Sequence, residues 1–110
     1  RPERFGAAFL AFSVDGQVLM RRRPPKGLLG GMLEFPSSPW TAAAPHDPLA
    51  HAPMKGEWKR LPTRVEHVFT HFALTLDVYA ADALPASEGF WGDAAGLPTV
   101  FRKAAEIGRA

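Results

Sequence analysis

The segment Val65 to Ala81, VEHVFTHFALTLDVYAA, is the longest apolar alternation in the chain and constrains the fold more than any other stretch. It is rich in β-branched and aromatic residues and reads as strand throughout. Successive side chains of a strand point to opposite faces. Val65, His67, Phe69 and His71 would then share one face, and Glu66, Val68, Thr70 and Phe72 the other. Neither set is cleanly apolar. A bulge or break near residues 67–72 would relieve the conflict, and such irregularities tend to re-aim side chains at functional places. The five residues HVFTH, with one hydroxyl and two imidazoles, are therefore the first candidate site.

The remaining segments read as partners for that strand. FGAAFLAFSVDGQVLMRRR is two apolar runs joined by Val14-Asp15-Gly16-Gln17. An Asp-Gly pair in that setting predicts a hairpin closed by a type I′ turn, with Phe5 to Ser13 antiparallel to Gln17 to Arg22. Pro24-Pro25 ends the second strand. KGLLGGMLEFP then predicts a compact loop at Gly27, Gly30 and Gly31, followed by a short strand from Met32 to Phe35 closed by Pro36. From Pro36 to Gly56, the prolines at 39, 45, 48 and 53 interrupt every longer helical window. That leaves a connecting excursion with at most one short helix.

Further on, Glu57 to Leu61 is a candidate short strand, Asp82 to Glu88 an exposed acidic turn, and Phe90-Trp91 a last short strand. Val100, Phe101, Ala104 and Ile107 fall at helical spacing and predict a helix from Thr99 to Ile107, with Thr99 as cap and Gly108 as stop. The sum is an α+β domain of five or six strands and one or two helices, with most of its core in the sheet. Phe5, Phe9, Phe12, Leu74, Leu76, Val78 and Phe101 are the expected core.

A chain of 110 residues supports a single core. It has no apolar run near the roughly 18 residues of a membrane span and no leader-like start. The absence of cysteine excludes disulfides, thiolate nucleophiles, iron–sulfur ligation and cysteine-based zinc sites within these residues, and fits a cytoplasmic setting. The net charge is only +2, yet RRRPPK clusters Arg21, Arg22, Arg23 and Lys26. That run is either a solvated turn or a patch for phosphates. The chain begins at Arg1 without an initiator methionine, and we expect it to be a piece excised from a larger protein.

Three uses compete for HVFTH: a metal site, a nucleophile with its base, or a surface that reads a polar ligand. On a regular strand His67 and His71 lie roughly 13 Å apart. No third ligand stands at a disciplined spacing, which disfavours metal. A triad of Thr70, a histidine and Asp77 lacks any oxyanion-loop signature. Ligand reading stays open beside a purely structural role, in which both histidines cap or pack near an edge. His46 and His51, in the proline-rich excursion, read as solvated.

RRPPKGLLGGMLEFP, followed by HVFTHFALTLDVY, a tryptophan and a helix led by Leu-Pro, resembles the C-terminal domain of MutY-type adenine DNA glycosylases. GLLGGMLEFP is shared with Nudix hydrolases at large, whereas FTH is similar to the Phe-Ser-His of the glycosylase family. The resemblance implies a Nudix-like α+β fold, with a mixed β-sheet and one or two packed helices, spanning residues 1–110 as a single domain. It also implies a function: recognising 8-oxoguanine opposite adenine in duplex DNA, while a separate N-terminal domain of the same chain removes the adenine.

By the same resemblance Phe69, Thr70 and His71 face the lesion; from the basic run itself, Arg22, Arg23 and Lys26 are candidates to contact DNA phosphates. No catalytic residue, metal or cofactor is implied for these residues, an iron–sulfur cluster being expected in the catalytic domain. The implied partners are the 8-oxoguanine:adenine duplex and that N-terminal domain. The protein is expected to be a monomer with no membrane association, in the bacterial cytoplasm at the nucleoid. Thr70 departs from the family's usual serine; its hydroxyl is kept, and its extra methyl restricts the rotamer.

The chemistry supports such a reading independently. Oxidation at C8 converts guanine N7 from an acceptor into an N–H donor, so a reader of the lesion needs an acceptor there. A hydroxyl supplies one, although it can also rotate and donate to ordinary N7; a backbone carbonyl discriminates better. Selectivity from one such contact is on the order of 1–3 kcal/mol. The rival enzyme, a Nudix pyrophosphohydrolase, needs several carboxylates on one helix to hold divalent cations against a diphosphate. Between Phe35 and Lys55 the only acid is Asp47. Glu34 alone cannot do that work and is expected to brace the preceding loop. A non-catalytic protein-interaction domain on the same scaffold is the third class.

Overall fold

A computed structural model describes residues 1–84, 90–93 and 99–109 of the chain. In chain order these form β1 (Glu3–Ser13), β2 (Val18–Arg22), β3 (Leu33–Glu34), β4 (Lys59–Arg60), β5 (Val65–Val68), β6 (Ala73–Leu84), β7 (Phe90–Gly92) and α1 (Thr99–Arg109). One mixed sheet runs β3-β2-β1-β6-β4, with β5 also on β6 and β7 also on β2. This is the α+β architecture expected from the sequence, a mixed β-sheet with a packed helix.

The centre of the sheet is the parallel pair β1 and β6, in register from Glu3↔Ala73 to Ala11↔Ala81. Parallel strands are stable chiefly when both faces are covered, and their sequences then read as continuous apolar runs. Residues 6–11 of β1 are buried without interruption. Ala8 and Leu10 face Leu74, Leu76, Val78 and Phe35, with Phe101 and Ala104 of α1 closing that side. Ala7 and Phe9 take the other face with Tyr79, beneath Ala52 and Trp58. Phe9 meets Trp58 edge-on at 5.3 Å and stacks on Tyr79 at 5.6 Å. The second cover is thus supplied by the end of the proline-rich excursion rather than by a helix. Phe5 and Phe12, expected in the core, are only half-buried.

The predicted β1–β2 hairpin forms, but it diverges almost at once. The strands share the single register pair Phe12↔Val18. Its turn is not type I′: Gly16 has φ +81° while Asp15 does not enter positive φ. Gly16 N–H donates to Ser13 O at 3.0 Å and Ser13 N–H to Gln17 O at 2.9 Å. That is an ordinary turn closed by one left-handed glycine, the three-residue alternative for a hairpin. Beyond it β2 pairs instead with β7 and β3. The freed edge of β1 is taken by the chain after β3: Phe9 N–H donates to Pro36 O at 2.9 Å, Ser38 N–H to Ala7 O at 2.9 Å, and Phe5 and Thr41 exchange both backbone bonds. Pro36 lacks an N–H but keeps its carbonyl, so it tolerates this edge position.

The excursion contains one short 3-10 turn, Pro48–His51. His46 and His51 are exposed. Two predicted strands are shorter than expected, Leu33–Glu34 for Met32 to Phe35 and Lys59–Arg60 for Glu57 to Leu61. Of the bulge or break expected near residues 67–72, the chain takes the break: β5 and β6 are antiparallel, from Val65↔Leu76 to Val68↔Ala73, with residues 69–72 between them. At its other end β6 continues through Asp82 to Leu84, so that part of the expected acidic turn is strand. The remainder, 85–89, lies outside the described residues. The helix runs past its predicted stop, through Gly108 to Arg109; a right-handed glycine costs only about 0.5–1 kcal/mol there. Among the described residues no helix is long and apolar enough to cross a membrane.

Candidate functional site

The break in the long strand makes residues 69–72 the tip of a hairpin, closed by a bond from Phe69 N–H to Phe72 O at 2.8 Å. Phe69 is half-buried, while Thr70 and His71 are exposed. The Phe69 ring lies 4.9 Å from Phe72 and stacks on Trp40 at 6.1 Å. The three residues singled out in the sequence therefore occupy one turn in two roles. Phe69 is the inward anchor, and Thr70 and His71 are presented to solvent.

Beside this tip lies a cleft of about 610 Å³, lined among others by Arg4, Arg21, Arg23, Glu34, Trp40 and Phe72. Its base is an ion network. The nearly buried Glu34 carboxylate accepts from Arg21 Nε at 3.0 Å and from Arg23 Nη1 at 2.8 Å. Arg23 Nε also donates to Leu28 O at 2.9 Å. The Arg23 guanidinium lies 4.5 Å over the Trp40 ring, a cation–π contact. Glu34 thus braces the loop before it, the role expected from sequence. A single carboxylate against the three guanidiniums lining this cleft leaves it cationic.

Of the other basic residues of the run, Arg22 ends β2 and Lys26 lies on the loop that follows. Arg22 Nη1 donates to Gly31 O at 2.9 Å, and Lys26 is exposed. This loop is compact because Gly30 has no side chain: a Cβ there would fall 2.6 Å from Pro25 O. Of the candidate phosphate contacts, Arg22 and Lys26 face solvent, whereas the Arg23 side chain is 18% exposed and committed to Glu34, Leu28 and Trp40.

His67 sits under the tip. Its ring meets Phe69 edge-on at 4.7 Å, and its Nδ1 lies 2.9 Å from Lys103 Nζ of α1. Burial, followed by the Lys103 charge, holds the His67 pKa below its usual 6.5. A His kept neutral in this way stabilises the fold fully above pH 6.5. That contribution is lost as pH falls from there through the folded value. Asp77, the third member of the triad considered above, is instead ion-paired to Arg64 at 2.7 Å. Among the described residues no group of three or more His, Asp or Glu side chains could hold a metal ion. The segment after β3, where a hydrolase would carry its carboxylates, is extended along β1.

Sequence reading missed Trp40 and Lys103. Trp40 contacts Phe69, Phe72, Phe101 and Arg23. Its indole fits because residue 6 is glycine: a Cβ there would stand 2.9 Å from Trp40 Cδ1. Among the described residues its buried Nε1 has no hydrogen-bond partner. The sequence signal was a lone large aromatic in a proline- and alanine-rich stretch, with no periodicity to place it. Lys103 had no signal beyond lying on the helix.

The family model for the NUDIX domain matches residues 7–106. Among solved structures, the C-terminal domain of mouse MUTYH, crystallised in complex with human PCNA, superposes with a TM-score of 0.68 at 23% identity, covering 94% of this chain and 86% of that one. The MutT protein from Methanosarcina mazei Go1 gives 0.70 at 15% identity, covering 99% and 95%. At such identities the likeness is one of fold. No curated protein matches the sequence.

The Glu34 network makes a measurable prediction. Glu34→Gln keeps the shape but sets an amide N–H₂ against a guanidinium and removes the counter-charge of the mostly buried Arg23. We expect a loss of about 1–3 kcal/mol in urea unfolding, nearly all of it through Arg23, since the half-exposed Arg21 pair is weak. An unchanged midpoint would show that Glu34 does not brace the loop.

Proposed function

The chain belongs to the NUDIX family, and from that premise we propose that it reads 8-oxoguanine opposite adenine in duplex DNA, as the C-terminal recognition domain of a MutY-type adenine DNA glycosylase. The observation that carries this reading is the hairpin tip, which presents Thr70 and His71 to solvent on a Phe69 anchor beside a cationic cleft. Thr70 Oγ1 accepts from the N7–H that only the oxidised base possesses, and Phe69 and His71 shape the contact. Removal of adenine belongs to an N-terminal domain of the same protein, which carries the iron–sulfur cluster. Arg22, Arg23 and Lys26 are the proposed phosphate contacts, with Arg22 and Lys26 the accessible pair.

Two other readings each have an observation in their favour. Membership of the NUDIX family keeps a hydrolase of oxidised nucleotides as the alternative enzyme. Against it stands the lack of a carboxylate cluster after β3, and we expect no turnover of 8-oxo-dGTP above background with Mg²⁺ or Mn²⁺; sustained turnover would establish the hydrolase instead. The crystallised complex of the MUTYH domain with PCNA favours a protein-interaction module. DNA binding separates that from lesion reading. The domain should bind duplex DNA with a Kd of roughly 10⁻⁴ to 10⁻⁶ M and lose it steeply with salt. Replacing Arg22 and Lys26 by Ala should flatten the salt slope by about one unit per contact removed. An unchanged slope would return the basic run to a solvated turn.

The decisive test is of the tip. In the full-length enzyme, Thr70→Ala with His71→Ala should slow adenine removal opposite 8-oxoguanine at limiting enzyme by roughly fivefold or more, about 1 kcal/mol being the lower end of one base contact. Removal opposite plain guanine should barely change, and Thr70→Ser should retain the preference. Single-turnover rates on both mispairs, with a melting curve, check this. Equal losses on both together with a lowered Tm would mean that these side chains only pack.

A further inference from the structure

The tip is a short turn whose outward residues can be useful only if the turn itself is held still. Its underside rests on His67, and His67 is gripped from α1. Lys103 Nζ donates to Glu66 O at 3.2 Å and lies 2.9 Å from His67 Nδ1. An ammonium has donors and no acceptor. The short contact therefore requires Nδ1 to be the unprotonated acceptor, which places the imidazole proton on Nε2. The same ring stands at 69° and 4.7 Å to Phe69, the residue whose N–H closes the tip.

We propose that Lys103 is a positioning residue for the hairpin tip: by fixing the ring of His67 from α1, it fixes Phe69 and hence the orientation in which Thr70 and His71 are presented. The inference deepens the lesion-reading function and rests on it for its consequence in DNA, though not for its geometry. The grip works only while His67 is neutral, because protonation would set two cations 2.9 Å apart. Around the pair, the Glu66 and Glu106 carboxylates and the Arg64 guanidinium line the same groove as Lys103, and the register partner of His67 on β6 is the uncharged Leu74.

The test compares Lys103→Met, which keeps the aliphatic stem without the charge, with Lys103→Arg and His67→Gln in the full-length protein. Lys103→Met should raise the His67 pKa toward its usual value, read by NMR, and speed hydrogen exchange of the Phe69 amide roughly tenfold, as loss of one charge-assisted hydrogen bond implies. It should also lower the preference for 8-oxoguanine:adenine over guanine:adenine at pH 7.5, with Lys103→Arg retaining most of it. Wild type should lose preference between pH 7.5 and 5.5, and His67→Gln, a neutral acceptor that does not titrate, should not. If Lys103→Met fails to fold, the contrast between wild type and His67→Gln across pH carries the same test. Unchanged His67 titration and Phe69 exchange in Lys103→Met would overturn the proposal. If both move while mispair preference stays constant, the positioning role stands and the lesion-reading function falls.

Discussion

The parallel pairing of β1 with β6 leaves residues 6–11 of β1 without solvent on either face, and the rest of the structure is arranged around covering them. α1 closes one face with Phe101 and Ala104. On the other face Trp58 and Ala52 do the same work from an irregular segment. The sheet edge is sealed by the backbone of Pro36 to Thr41. Because that segment must run extended to satisfy β1, it reaches the end of the sheet where the β5–β6 hairpin turns, and it delivers Trp40 beneath the tip. The covering of the core and the construction of the site are therefore one event.

At the site, a few interactions set the chemistry. Glu34 sits nearly buried between two guanidiniums, and the better-buried one, Arg23, also lies on Trp40. Trp40 in turn supports Phe69. The electrostatics of the cleft and the mechanical support of the tip thus pass through the same pair of side chains. A charge that is paired, hydrogen-bonded and stacked has little freedom left to follow a ligand. For that reason the exposed Arg22 and Lys26 are better suited than Arg23 to follow a mobile phosphate backbone.

A fold that serves both hydrolases and readers does not itself decide between them. The difference lies in what the chain after β3 carries. A hydrolase needs a helix of carboxylates there; this chain has prolines, alanines, an extended edge segment and one 3-10 turn. At the hairpin tip and the cleft the polar groups are a hydroxyl, an imidazole and guanidiniums, which suit hydrogen bonding and stacking.

Much of this was determined by the sequence alone. The alternation in VEHVFTHFALTLDVYAA called for strands and, through its conflicting faces, for a bulge or a break near residues 67–72, where the tip lies. Helical spacing at Phe101, Ala104 and Ile107 required α1, and the prolines after Pro36 forbade a long helix. These are local effects, set by side-chain period and backbone sterics. Tertiary structure decided what local rules cannot reach. Asp-Gly predicted a type I′ hairpin running the length of β2, but competition from β3, β7 and the 36–41 edge left only Phe12↔Val18 paired. Phe9 was legible as core, but not Trp58 as its cover. Trp40 and Lys103 carried no periodic signal, because their roles arise from partners more than twenty residues away in the chain: Phe69 for the indole and His67 for the ammonium. Contacts at that separation exist only once the sheet has brought its ends together, so residue spacing could locate the tip but not what holds it.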